Sequence, residues 1–257
     1  MRILFLGNNW VGWKVLSYLR ACEEDICGLV VHPETKRRYG KEILESGGVE
    51  SSRIFEGHEL RAQEILEAIK RLEPDIGVSV LFDYIFREEF VRIFPKGIVN
   101  LHPSYLPYNR GQYPNVWSIV EGTPAGVTLH YIDDGVDTGD IIAREEVPVA
   151  WTDTGRSLYR KLENTAVELF KQQWPLIREG KESRASQSGL DGTFHRTRDV
   201  DDIDEIDLEK TYLAKDLINI LRARTFPPYS GAYFRVDNDR VFIRLQLLRE
   251  DELGKVK

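Results

Sequence analysis

Cysteine is scarce: Cys22 and Cys27 are the only two in 257 residues. They form a C-x4-C pair with no second pair to complete a zinc site. Both read as small buried hydrophobes at a helix end and the strand that follows, and such sparse thiols suit a reducing cytoplasm. Long apolar runs are also missing. None approaches the ~18 residues that span a bilayer, and the opening residues lack the charged, apolar, small-residue order of a secretory leader. The expectation is a cytoplasmic chain with no membrane partner. The first loop, Gly7-Asn8-Asn9-Trp10-Val11-Gly12, is not G-x-G-x-x-G. Nicotinamide and flavin dinucleotides need those glycines for close backbone approach to their pyrophosphate, which argues against an oxidoreductase. Positive charge is in deficit as well: the net charge of −7 opposes non-specific attraction to nucleic acid. Thr35-Lys36-Arg37-Arg38-Tyr39-Gly40-Lys41 is nevertheless a local basic patch, able to meet phosphates or to stand as a charged surface loop. His32, His58, His130 and His195 show no metal-ligand spacing, and no metal is expected. His130 reads as a core or sheet-facing residue.

What the chain does contain is enough apolar residue, 42%, to bury a substantial core. Arg2 to Gly7 reads as a buried strand, followed by Val15, Leu16 and Leu19 at helical spacing. The theme repeats through a strand at 26–31, a helix at 58–72 carrying Leu60, Ile65, Leu66 and Ile69, and strands at 76–81, 97–101, 126–132 and 140–149. Alternating strands and helices imply a mostly parallel sheet covered on both faces. Thr154 is a plausible N-cap for a long helix to Ile177, which Pro175 is placed to kink or end. After Glu179 the chain turns polar and charged, reading as a linker that wraps over the main domain. A helix at 209–224 follows, with Leu213, Leu217, Ile220 and Leu221 on one side, then two strands around Asp237-Asn238-Asp239. The expected division is a domain at 1–180 and an appendage at 181–257.

Ligands of open parallel sheets gather outside the carboxyl ends of the strands. There, Asn100-Leu101-His102 puts two polar side chains on one face of an extended segment. Pro103, Pro107 and Arg110-Gly111 make the following loop nearly rigid, and Asp133 to Asp140 forms an acidic, glycine-containing turn between two strands. A neutral His beside an amide and a carboxylate supplies what acyl transfer to an amine needs. His102 can take the amine proton, Asn100 can donate to the developing oxyanion, and Asp137 can orient the imidazole. Taken singly, the same residues also fit a satisfied structural His and a solvated acidic turn or Ca²⁺ loop.

Asn100-Leu101-His102-Pro103-Ser104-Tyr105-Leu106-Pro107, then Arg110-Gly111, Gly126-Val127-Thr128-Leu129-His130 and Val136-Asp137-Thr138-Gly139-Asp140 together resemble the N10-formyltetrahydrofolate-dependent formyltransferases. The resemblance spans roughly residues 1–180. It implies an α/β, Rossmann-like formyltransferase domain with a mostly parallel twisted sheet, plus the small C-terminal helix and β-hairpin appendage. It also implies Asn100, His102 and Asp137 as the catalytic residues and N10-formyltetrahydrofolate as the formyl donor. The pterin is then expected between Leu81-Phe82-Asp83-Tyr84-Ile85 and the turn Asp133-Asp134-Gly135-Val136-Asp137, since a flat heterocycle wants an apolar slot lined by backbone groups.

Within that family the acceptor amine separates the branches. Methionyl-tRNA formyltransferases usually append a sizeable β-barrel, whereas the tail here is too short for a closed barrel with its own core. The resemblance is therefore strongest to enzymes acting on amino-deoxysugars linked to a nucleoside diphosphate, in which a compact tail helps build a homodimer. Asn8, Asn9, Trp10, Ser104, Arg110, Gly111 and Tyr113 are the expected acceptor contacts, with Arg110 suited to pyrophosphate and Tyr113 or Trp10 to the base. Other readings are a methionyl-tRNA formyltransferase, a formyltetrahydrofolate hydrolase and a catalytically dead binding protein.

Overall fold

The computed structural model describes residues 1–253. Its first half alternates strand and helix, and α2, β3 and α4 add to the elements that periodicity predicts: β1 (Arg2–Gly7), α1 (Asn9–Ala21), β2 (Asp25–Val31), α2 (Gly40–Gly47), β3 (Ile54–Glu56), α3 (Gln63–Arg71), β4 (Ile76–Val80), α4 (Glu88–Val91) and β5 (Ile98–His102). A two-residue β6 (Arg110–Gly111) and α5 (Pro114–Glu121) lead to β7 (Gly126–Tyr131), β8 (Ile141–Glu146) and α6 (Gly155–Glu179). Beyond these come β9 (Phe194–His195), α7 (Asp201–Asp204), α8 (Ala214–Ala223) and the hairpin β10 (Tyr233–Val236) and β11 (Asp239–Phe242).

Seven strands form one sheet in the order β3-β2-β1-β4-β5-β7-β8. The pairs from β3 to β5 are parallel, and β7 and β8 complete the sheet antiparallel. Side chains alternate across a strand, so β1 feeds two cores. Ile3 and Phe5 join α1, α5 and α6 on one face, while Leu4 and Leu6 join α3 and α4 on the other. Strand order reverses between β1 and β4, and the crevice at that reversal is where the carboxyl ends open.

Pro175 does not end α6, which continues to Glu179 and closes on Gly180 in the left-handed region. A proline in a helix orphans the carbonyl four residues earlier. Here that carbonyl, on Lys171, accepts the Tyr18 hydroxyl from α1 at 3.2 Å. At the other end, Thr154 and Ser157 cap one another reciprocally, Thr154 Oγ1 accepting from Ser157 N at 3.3 Å and Ser157 Oγ from Thr154 N at 3.0 Å. Thr154→Ala is expected to lower the unfolding free energy by about 1 kcal/mol, measured by urea denaturation.

Several boundaries depart from the periodicity. The edge strand β3 has only three residues, too short to show a pattern. The segment 58–62 forms a 3₁₀ turn and bend ahead of α3, although Leu60 is still buried. The C-terminal helix begins at Ala214 rather than 209, and its buried residues are Asn219, Arg222 and Ala223 instead of the leucine stripe. Arg222 sets that orientation by donating to the carbonyls of Ala150 and Asp153, both at 3.0 Å. Leu213 and Ile218 are left exposed. No described helix is long and apolar enough to cross a membrane.

Candidate active site

A cavity of about 860 Å³ opens at the carboxyl ends of β1, β2, β4 and β5. Asn100 and His102 enter it from β5, and Asp137 enters from the β7–β8 turn. The three are brought together. His102 Nε2 lies 3.6 Å from Asp137 Oδ2 and 3.4 Å from the Asn109 carbonyl oxygen. Both neighbours can only accept, so the ring proton sits on Nε2 and the Nδ1 lone pair is left for other use. Asp137 Oδ2 accepts the Gly111 N–H at 2.9 Å. Gly111 is required at that approach: its φ is +86° and a Cβ would stand 2.3 Å from the His195 carbonyl oxygen.

A fourth polar residue joins these three. His130 is buried in mid-strand as expected, and it faces Asn100 directly across the antiparallel β5–β7 ladder while also lining the cavity. Its Nδ1 donates to the Tyr131 carbonyl at 2.7 Å, so Nε2 accepts from Asn100 Nδ2 at 3.1 Å. That bond fixes which end of the Asn100 amide is nitrogen and leaves its second N–H available. His130 Nε2 is also 3.6 Å from Asp137 Oδ1. The motif blocks put His130 near Asn100 in the resemblance, but the direct pairing of their side chains follows only from the strand register.

The electrostatics favour a neutral base beside an ionised acid. Burial pushes His102 below the ordinary imidazole value, only partly opposed by the Asp137 carboxylate. Burial would by itself raise Asp137, but the facing His102 and the Gly111 N–H outweigh it and hold the carboxyl well below its usual range. Backbone strain gathers at the rim: Asn9, Leu81, Tyr113 and Asp137, none a glycine, all have φ between 47° and 59°. Such residues persist only where their surroundings over-determine them, typically around ligands.

The remaining expected contacts divide. Leu81, Phe82, Asp83, Tyr84 and Ile85 line one wall, and Asp133, Gly135 and Asp137 the facing one. Asp133 also fixes its own turn, accepting from Gly135 N and from Thr138 Oγ1. Asn8, Asn9, Gly111 and Tyr113 line the same cavity. Asp134, Ser104 and Arg110 do not. Ser104 is buried, and Arg110 points away from the cavity, where its Nη2 donates to Gln187 Oε1 at 2.9 Å. Trp10 lies in a smaller adjoining cleft with Arg38, Tyr39 and Tyr159.

Two cations unassigned by the motif reading do line the cavity, Lys36 and Arg38. Their loop is pinned through its backbone. Asn8 Nδ2 donates to the Lys36 carbonyl at 3.2 Å, and the Arg38 N–H donates to Asn8 Oδ1 at 2.8 Å. Arg37 is held by Glu56 and Arg224 by Asp204, whereas neither Lys36 nor Arg38 makes an ion pair with a described residue. The Arg38 guanidinium stands 5.4 Å from the centre of the Tyr229 ring. No group of His, Cys, Asp or Glu among the described residues is arranged to hold a metal ion. Cys27 is buried, with its thiol pushed up to about 11 by that burial, in keeping with a structural role.

Comparison with known proteins gives two family matches: residues 1–173 match the Formyl transferase model, and residues 199–249 match the N-formyltransferase dimerization C-terminal domain. A methionyl-tRNA formyltransferase of Clostridioides difficile is 30% identical over 239 residues, covering 91% of this chain and 76% of that protein. A dTDP-4-amino-4,6-dideoxyglucose formyltransferase of Mycobacterium bovis is 30% identical over 189 residues, covering 72% of this chain and 78% of that protein. Among solved structures, a formyltransferase of Anoxybacillus kamchatkensis in complex with UDP-4,6-dideoxy-4-formamido-L-AltNAc and tetrahydrofolate is 31% identical, with a TM-score of 0.58 over 79% of this chain and 89% of that one.

Proposed function

Because the chain belongs to the formyl transferase family, we propose that it moves a formyl group from N10-formyltetrahydrofolate to the primary amine of an amino-deoxysugar linked to a nucleoside diphosphate. One observation carries this reading. A single cavity joins Asn100, His102 and Asp137 to an aromatic wall at 81–86 and to the cations Lys36 and Arg38, which form no ion pair with a described residue. Formyl transfer needs the first group, a pterin the second, and a diphosphate the third.

In this reading the amine attacks the formyl carbon with its departing proton directed to His102 Nδ1. The second N–H of Asn100, free of His130, donates to the oxyanion that develops. Asp137, ionised and within 3.6 Å of His102 Nε2, stabilises the imidazolium until the proton passes to the departing carrier nitrogen. The donor is a substrate, consumed and released as tetrahydrofolate. Residues 1–180 carry all of this chemistry's side chains in the proposal.

The acceptor reading has two supports besides the cations. The mycobacterial relative is named for a dTDP-linked amino sugar. The described residues after Glu179 hold short helices, a hairpin and a two-residue strand, in place of the β-barrel expected of a tRNA-binding branch. Incubating the enzyme with formyltetrahydrofolate and a panel of amino-sugar nucleotides, alongside charged initiator tRNA, should add one formyl mass to a sugar nucleotide. Formylation of the tRNA alone would refute the assignment, and release of formate without an amine would make the protein a hydrolase. Arg38→Gln should raise KM for the sugar nucleotide about tenfold with little change in kcat, as befits one lost charge-assisted contact outside the reacting centre.

We infer further that the protein works as a homodimer in the cytoplasm. The exposed Leu213 just before α8 and Ile218 within it, with Val236, Val241 and Phe242 of the hairpin, give the tail an apolar surface, and this region matches the dimerization domain. Sedimentation equilibrium at micromolar concentration tests the dimer.

A further inference from the structure

We infer that Gln187, which lies beyond the catalytic sheet in the polar segment after α6, is a positioning residue for Asp137. The inference rests on the role proposed above for Asp137, and nothing in the motif blocks includes Gln187. Its side chain is buried, 4% exposed, and its carboxamide is fully used. Nε2 donates to the carbonyl oxygens of Asp137 at 3.0 Å and Gly139 at 2.7 Å, and Oε1 accepts Arg110 Nη2 at 2.9 Å. The residue after Arg110 is Gly111, whose N–H holds the Asp137 carboxylate. A closed ring results, running from Gln187 through Arg110 and Gly111 to Asp137 and back to Gln187. It grips both the backbone and the side chain of the acid.

The ring has work to do at this point. Asp137 has φ +55°, a conformation that costs an L-residue about 1–3 kcal/mol and persists only under external constraint. Its turn has glycines on either side, Gly135 and Gly139, which stiffen nothing themselves. The segment that delivers Gln187 is in turn fastened to the sheet. Ala185 and Ile141 exchange backbone hydrogen bonds at 2.8 and 2.9 Å, and β9 pairs with β6. The same segment therefore secures the loop of Asn109 to Gln112, which walls the other side of His102, through Thr193 to Arg110 N and His195 to Gln112 N. A carboxamide is the one neutral side-chain group that donates to two carbonyls while accepting from a guanidinium, and at this reach Gln is the residue that supplies it.

The test uses Gln187→Met, which keeps the volume and removes donors and acceptor, and Gln187→Glu, which keeps the Arg110 bond but turns an oxygen onto two carbonyls. Both should lose on the order of 10–10²-fold in kcat while KM for donor and amine stays within about twofold, the signature of a misplaced catalytic group. An independent readout needs no substrate. The groups facing the His102 ring are Asp137, His130 and the Asn109 carbonyl: Asp137 favours the imidazolium most, the Asn109 carbonyl favours it less, and His130 opposes it. Releasing Asp137 should therefore move the His102 titration, followed by NMR in the free protein, to lower pH. A Gln187→Met enzyme with parental kcat and an unmoved His102 titration would overturn the inference, as would a loss confined to KM. Failure of the parent to formylate any sugar nucleotide would instead strike the acceptor reading, with the His102 titration still reporting on Gln187.

Discussion

Asn100→Ala should lower kcat on the order of 10²–10³-fold, the usual consequence of removing one donor to a developing oxyanion, with the fold and both KM values close to parental. The geometry makes this sharper than a generic truncation. The Asn100 amide cannot turn freely, because Nδ2 is committed to His130 Nε2 at 3.1 Å and His130 is itself fixed by the Tyr131 carbonyl. The amide is thus oriented before substrate arrives, and no reorganisation is needed as charge develops. Asn100→Asp offers the discriminating comparison: it is nearly isosteric yet presents oxygens where an N–H is required, so it should be at least as inactive as the alanine variant. His130→Phe, which removes the acceptor that orients the amide, should lose part of the same effect. Steady-state kinetics on a formylated acceptor decides the matter, and turnover within a few fold of the parent for Asn100→Ala would remove Asn100 from the chemistry.

The legibility of this site in the sequence follows from how local each piece is. Asn100 and His102 share a face because strands have period two, and the run of strand, proline and glycine advertises the end of a sheet strand. Asp137 became readable through motif order and family resemblance; spacing alone left it a solvated turn. His130 was hidden because its partnership with Asn100 depends on β7 running antiparallel to β5 in one particular register, which no local pattern encodes. Gln187 was hidden more deeply: it lies in a stretch of polar composition and acts through backbone carbonyls fifty residues away. Arg110 shows the opposite failure. An arginine beside a glycine in a ligand loop invites a phosphate, but the half-buried Arg110 donates to Gln187, while Lys36 and Arg38, which line the cavity, come from the basic patch at 35–41. The same contrast runs through the fold. The strands and the long α6 were legible from apolar periodicity, whereas the inward face of α8 was not, because a buried arginine rather than its leucines determines it.

His102→Asn should remove on the order of 10²–10⁴-fold of the turnover, the range that a positioned general base contributes. The circular dichroism spectrum and melting temperature should stay near parental, since the ring lines a cavity and its polar partners are only Asp137 and the Asn109 carbonyl, with the His130 ring edge-on at 6.3 Å. Concerted loss of activity and structure would instead mark a structural histidine. The pH profile supplies the sign. The base must be neutral to collect the amine proton, so kcat/KM rises with pH through the titration of His102. Burial lowers that titration from the free imidazole value of 6.5, and the rise should therefore be complete at a lower pH than an exposed histidine would give. Asp137 opposes the lowering, so Asp137→Asn should carry the acidic limb further down the pH scale even as it reduces the plateau. A variant that lost the plateau and moved the limb upward would contradict the electrostatic pairing, because it would mean that the carboxylate had been disfavouring the imidazolium it faces. The two effects are separable in one experiment, since the plateau reports stabilisation of the transition state and the limb reports the free enzyme's base.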